Sequence, residues 1–171
     1  LDLVQKVKGC NALQASKLIA ALVLPPQPLT APAREKAAAH QAPTMAKRLL
    51  TSSHTGICPY LVKKGLTASV PMLNLARPLV IGEVSFESDS AILPVHDVSG
   101  TLLGAQLINA EGQKRLLPGT RLSGGFIKTA DSGNTANIII TEGYATALTL
   151  SQATDSLVLA AVSANNLLNV A

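Results

Sequence analysis

The sequence predicts an α+β protein: N-terminal helices, an antiparallel β meander, then the first βαβ unit of a parallel sheet that the chain cuts short. Three observations lead there. Residues 1–66 carry nine Lys or Arg against two acids, whereas residues 67–171 carry five against eight. Eleven of the twelve glycines lie at or after Gly56, so turn-forming chemistry begins there. Two uninterrupted apolar runs, Asn137–Thr141 and Leu157–Val162, bracket a helical stretch. Unalternating strands joined by a helix read as parallel neighbours buried on both faces.

Composition bounds the function. With 47% apolar and 14% charged residues, the 171-residue chain can bury a core and is not wholly disordered. No apolar run approaches the roughly 20 residues of a membrane span. Aromatics are 2% with no Trp, which argues against the serial base-stacking platform of single-strand binders. The net charge of +4 weakly favours an anionic partner. Cys10 and Cys58 stand apart with no C-x-x-C spacing, against a disulfide framework or a zinc knuckle. No charged segment leads into an apolar signal core, which points to a cytoplasmic setting. A chain opening on Leu1 reads as a fragment or a processed product.

The elements follow in order. Residues 1–24 read as two short helices: Leu1, Leu3, Val4 and Val7 share one face, and Gly9 is a C-terminal stop. Asn11 and Gln14 have capping-box spacing ahead of Ala15, Leu18, Ile19, Leu22 and Val23. Residues 25–55 hold five of the ten prolines between Pro25 and Pro43. They predict a stiff linker around an Ala-rich helical piece, 33–41, then a separate helix over 44–51. Residues 56–136 form the meander, with strands expected at 79–84, 91–96, 103–109 and 114–117, and an extension at 126–128. Ser99-Gly100 and Glu111-Gly112 supply hairpin turns. In 137–171 a helix from Tyr144 to Ala153 separates the apolar strands, and Asn165 opens another. A truncated sheet has an edge near Leu157 whose cover the sequence does not show, and an edge left exposed is an association hazard.

Chemistry concentrates in three places. Glu142 ends a strand of the parallel pair, the edge where open α/β sheets bind ligands. A carboxylate there can hold Mg²⁺ or merely complement the helix dipole, and position alone leaves both open. Lys114, Arg115 and Arg121 alternate with glycine turns, a composition suited to phosphate oxygens but equally to a solvated hairpin. Lys63 and Lys64 can track a nucleic-acid backbone or form an ordinary charged face. His40, His54 and His96 form no catalytic or metal spacing, and Gly124-Gly125 lacks the P-loop pattern.

Five segments in one order carry a resemblance. Ile140-Thr-Glu-Gly-Tyr-Ala-Thr-Ala147 and Val162-Ser-Ala-Asn-Asn-Leu-Leu-Asn-Val-Ala171 resemble the "EGxATA" and "AGNLxxVA" segments that open the toprim domain of plasmid- and phage-type DNA primases. Upstream, Cys58-Pro-Tyr-Leu-Val-Lys-Lys-Gly65 resembles "HPYLxRKG", and Leu93 through Leu102 resembles "xPVRDxxGxL". Gln106–Leu117 with Gly119–Phe126 resembles "QxIxxDGxKRFLxGxxxxGxF". The likeness covers about residues 56–171, and residues 1–24 resemble the tail that follows a zinc ribbon in such primases.

The resemblance implies a toprim, Rossmann-like sheet, here truncated, and synthesis of RNA primers on single-stranded DNA from nucleoside triphosphates by Mg²⁺-dependent nucleotidyl transfer. Glu142 matches the catalytic, metal-binding glutamate. Lys114 and Arg115 match a basic pair that contacts nucleotide or template phosphate, with Arg121 beside them; Lys63 and Lys64 fall to the nucleic-acid backbone. A helicase domain or protein is a possible further partner, and Zn²⁺ would belong only to a ribbon that this chain lacks. The family's Asp-x-Asp pair is absent, Cys58 stands where the family often has His, and Ser163-Ala-Asn165 replaces Asp-Ala-Gly. The 171 residues alone are therefore expected to be inactive and to bind Mg²⁺ weakly. The alternative is a non-catalytic nucleic-acid-binding module on the same scaffold. Another toprim enzyme, a nuclease or topoisomerase, is opposed by the upstream segments.

Overall fold

The computed structural model describes residues 11, 14, 33–66, 72–129 and 134–171. The chain divides into two compact units, Leu1–Pro32 and Ala33–Ala171. In the first, Gln14 N–H donates to Asn11 Oδ1 (2.9 Å) and Asn11 N–H to Gln14 Oε1 (3.2 Å). That reciprocal pair is the expected capping box. The other expectations for residues 1–24, and those for the prolines at 25, 26, 28 and 32, lie outside the described residues.

The second unit is mixed α and β, with antiparallel sheets and few helices. It opens with α1, Ala33–Ser52, one continuous helix through Pro43 where the sequence predicts two. Buried Ala42 and Ala46, with half-buried Met45, Leu49 and Leu50, form one stripe at helical spacing. That stripe packs on the β-sheet, and its burial offsets the hydrogen bond that Pro43 cannot donate.

Five strands form the main sheet in the order β1-β2-β5-β6-β7: His54–Gly56, Met72–Asn74, Ala91–His96, Leu102–Ile108 and Lys114–Leu116. Every pairing in it is antiparallel, and β5-β6-β7 is the expected meander. The sheet is covered on both faces. Ile92, Ala105 and Leu107 meet α1 together with Leu75, Phe86 and Leu117. Ala91, Leu93, Val95 and Ile108 face the second core, shared with Leu61, Tyr144, Ala147, Leu148, Val158 and Ala160. Two covered faces explain why β6 is apolar almost throughout despite antiparallel pairing.

Residues 79–84 differ from expectation. Gly82 (φ +61) and Glu83 turn the chain, so β3 (Leu79–Ile81) and β4 (Val84–Phe86) form a hairpin instead of one strand. The third sheet has the order β8-β10-β9, from Ile127–Lys128, Ser156–Ala160 and Asn134–Thr141. After the short helix α2 (Pro59–Lys63), the next helix is α3 (Tyr144–Ala153), which links β9 to β10; β10 runs parallel to β9 and antiparallel to β8. The expected extension at 126–128 is divided: Phe126 bridges His96 at the end of β5, while β8 pairs with Leu159 and Ala160 on the side of β10 away from β9. A 3₁₀ turn at Ala164–Asn166 leads into α4, Leu167–Val170. Among the described residues no helix is long and apolar enough to cross a membrane.

Candidate functional site

Pro59 opens α2, where its fixed φ suits the first turn and its missing N–H costs nothing. The helix closes at Lys64, whose N–H reaches the carbonyls of Tyr60 and Leu61, and Gly65 follows at φ +70. Leu61 is buried, while Tyr60 is half-buried and Lys63 and Lys64 are exposed.

The Tyr60 ring lies against the β6–β7 turn. A Cβ on Gly112 would come within 2.8 Å of ring carbon Cε2, and Gly112 sits at φ +82. Glycine is required there twice, for the backbone conformation and for the close approach. The turn is braced by buried Asn109, whose Nδ2 donates to Gln113 Oε1 (2.9 Å) and to the Ser85 carbonyl (3.0 Å). Its Oδ1 accepts from Gln113 N–H (2.9 Å).

That turn delivers Lys114 to the same ring. Lys114 Nζ stands 5.5 Å from the Tyr60 centroid and Lys64 Nζ stands 6.0 Å from it. Both lie within cation–π range. Among the described residues, neither ammonium is within ion-pair distance of a carboxylate. The facing wall comes from α3 through Gly143, Ala145, Thr146, Thr149 and Leu150, and with Leu66 they enclose an open groove of about 340 Å³. Gly143 caps α3 without a side-chain hydrogen bond, and no acid occupies the helix's first turn.

Glu142 is exposed at the groove's margin, between the end of β9 and Gly143, and its side chain is not part of the lining. The chain turns there as Thr141 Oγ1 donates to the Gly143 carbonyl (3.2 Å). Ala161 N–H donates to the Thr141 carbonyl (2.8 Å), which brings the ends of β9 and β10 level. Val162 follows at φ +70, a strained value for a β-branched residue. Asn166, 3% exposed, anchors this edge. Its Nδ2 donates to the carbonyls of Gly125 (2.8 Å) and Ala161 (2.9 Å), and its Oδ1 accepts from Gly124 N–H (3.0 Å).

The remaining predicted cations point elsewhere. Lys63 Nζ donates to the Ala110 carbonyl at 3.1 Å. Arg115, next to Lys114 on a strand and so on the opposite face, donates to the Lys114 carbonyl at 2.9 Å. Arg121 is 4.0 Å from Asp97 and its side chain is 68% exposed. The Asp97 carboxyl is held below the usual carboxylate range, chiefly by the Ser99 hydroxyl. Burial pushes the Tyr144 phenol up to about 12, with Cys58 a lesser cause.

Metal chemistry finds little support in the donor set. A two-metal centre needs several convergent oxygens. Among the described residues no group of three or more His, Cys, Asp or Glu could hold a metal ion, so Glu142 alone does not fit a Mg²⁺ pair. Tyr60, Gly112 and Asn166 all lie inside the primase-like segments, and Glu111-Gly112 is an expected hairpin turn, but only the tertiary contacts reveal what the three residues touch. No family model matches the chain, and no solved structure matches it.

Proposed function

We propose that the chain is the phosphate-handling part of a toprim-type DNA primase, with catalysis completed by acids outside the described residues. One observation carries this reading. Three of the primase-like segments, Cys58–Gly65, Gln106–Leu117 and Ile140–Ala147, meet at one groove and bring two cations there that have no carboxylate partner among the described residues. Two unneutralised ammonium groups at a concave, partly apolar surface favour an anionic ligand with a hydrophobic portion.

In nucleotidyl transfer a 3′-hydroxyl oxygen attacks the α-phosphorus and pyrophosphate leaves. Lys64 and Lys114 would hold the phosphates and stabilise charge on the departing group. Glu142 would be the first of the acids that handle Mg²⁺, which supplies charge neutralisation when bound. The single carboxylate also favours a second reading, a non-catalytic nucleic-acid-binding module.

RNA synthesis on circular single-stranded DNA, with four ribonucleoside triphosphates and Mg²⁺, separates them. The primase reading expects primers from the product of the complete reading frame, none from the 171 residues alone, and none after Glu142→Gln. Near-normal primer yield from Glu142→Gln would remove Glu142 as a catalytic acid. A frame that ends without an Asp-x-Asp pair would support the binding module.

A further inference from the structure

Most open strand edges among the described residues are short or charged. β1 and β7, the two edges of the main sheet, are three residues each, and β7 carries Lys114 and Arg115. β8, one edge of the third sheet, has two residues and ends on Lys128. β9, the other edge of that sheet, is different. It is eight residues long, and its sequence, Asn-Thr-Ala-Asn-Ile-Ile-Ile-Thr, holds no charge and no proline. Among the described residues its strand partner is β10, and the irregularity in their register lies at the Asn134 end, away from the isoleucines. An edge without charge, proline or a bulge is a template for another strand.

The hydrogen-bond phase shows which groups that edge offers. Ala161 N–H donates to the Thr141 carbonyl, so Thr141 turns its peptide groups to β10. Alternation along the strand gives Ile139 the same direction and points the N–H and C=O of Ile138 and Ile140 to the open side. The Ile139 side chain packs on the core shared with α3. Ile138 and Ile140 therefore lie on the other face, beside Leu157 and Leu159 of β10, and Ile138 is 53% exposed there.

We propose that this edge is a homodimer interface, in which β9 pairs antiparallel with β9 of a second copy about a two-fold axis at Ile139. Ile138 then faces the partner's Ile140, a pair that exchanges both N–H···O bonds, and the axis repeats the arrangement. Asn137 faces the partner's Thr141, so no like charges meet along the pairing. That neutrality selects the occupant. A nucleic acid or other charged partner finds no opposite charge in Asn137–Thr141, whereas a second copy supplies the matching phase of donors and acceptors and sets isoleucine against isoleucine. The product is one continuous sheet, with Ile138, Ile140, Leu157 and Leu159 of both copies in a single apolar band. So small an interface exchanges between monomer and dimer. The proposal is independent of the primase reading, because neither the groove nor its lysines take part.

Sedimentation velocity of the 171-residue protein over a range of concentrations tests this. A concentration-dependent species of twice 17.6 kDa is expected, with nothing larger. Ile138→Lys, at an exposed side chain, sets a cation against the partner's Ile140 in both copies and should weaken the dimer by more than about tenfold. Val98→Lys, at another exposed apolar position, should leave it unchanged. Amide hydrogen exchange reads the interface separately from folding. In the dimer the N–H groups of Ile138, Ile139, Ile140 and Thr141 are all protected. In Ile138→Lys the amides of positions 138 and 140 should exchange rapidly, while Ile139 and Thr141 stay protected by β10. A monomer at every concentration would overturn the proposal, including one whose Ile138 and Ile140 amides are protected by another part of the chain. Open-ended oligomers would overturn it too, as would a dimer that Ile138→Lys leaves intact.

Discussion

Replacing Asn166 with alanine removes four hydrogen bonds, one of them a long 3.4 Å contact from Asn169 Nδ2 to Asn166 Oδ1 and the other three short. The Gly125 and Ala161 carbonyls lose their donor at 2.8 and 2.9 Å, and Gly124 N–H loses its acceptor at 3.0 Å. A buried polar group left without a partner costs about 1–3 kcal/mol. Water entering the space vacated by the amide recovers part of that, so the sum is about 3–5 kcal/mol. Against a domain stability of about 5–15 kcal/mol, this is a large fraction. Urea unfolding followed by circular dichroism reads it as a lower midpoint at an unchanged slope. Asn166→Asp keeps the volume but sets a carboxylate against two carbonyl oxygens. That burial raises the folded carboxyl pKa above its unfolded value of about 3.9. The added penalty is therefore absent below about pH 4 and grows as pH rises. A loss under about 1 kcal/mol in Asn166→Ala would refute the view that Asn166 ties the Gly124-Gly125 turn to the end of β10.

Two further predictions concern the surroundings of the groove. Gly112→Ala introduces a Cβ 2.8 Å from the Tyr60 ring at φ +82, so it is expected to cost roughly 1–3 kcal/mol in thermal or urea unfolding. It should also weaken ATP binding by moving the ring. Tyr144, raised to about 12 from an ordinary 10.0, stays neutral in the fold after it would ionise in the unfolded chain. Its contribution is fully present below about pH 10 and is lost as pH rises toward 12, a fall of order 2–3 kcal/mol. Tyr144→Phe should flatten that alkaline limb in urea unfolding measured across pH 9–12, while giving up only the hydroxyl contact to Met72 Sδ at 3.6 Å.

Much of the secondary structure was legible because local signals agreed with tertiary packing. The helix at Tyr144–Ala153 and the strand at Ala91–His96 appear with the expected bounds. β1 and β2, three residues each, are too short to show a period, and their pairing is set by partners distant in sequence. Pro43 signalled a break that the burial of Ala42 and Ala46 against the sheet overrides. The cover of the sheet near Leu157 was not legible, because nothing local announces that β8 pairs with Leu159 and Ala160. At the candidate site, Lys64 and Lys114 were visible as cations, 50 positions apart, whereas their meeting over Tyr60 depends on the β6–β7 turn and on Gly112. Asn166 falls inside the Val162–Ala171 segment, but its partners at Gly124 and Gly125 lie 42 and 41 positions away and are set by tertiary packing.

The central claim is that segments far apart in sequence build one anion-binding groove, and its location can be measured directly. Backbone amide signals of the ¹⁵N-labelled 171-residue protein, followed while ATP is added, report where the ligand sits. The account predicts saturable shifts at Tyr60, Lys64, Gly112, Lys114, Gly143 and Thr146, with Asp97, Ser99 and Arg121 unmoved. Shifts centred on Arg121 and the Asp97–Thr101 turn, with the Tyr60 groove silent, would contradict it.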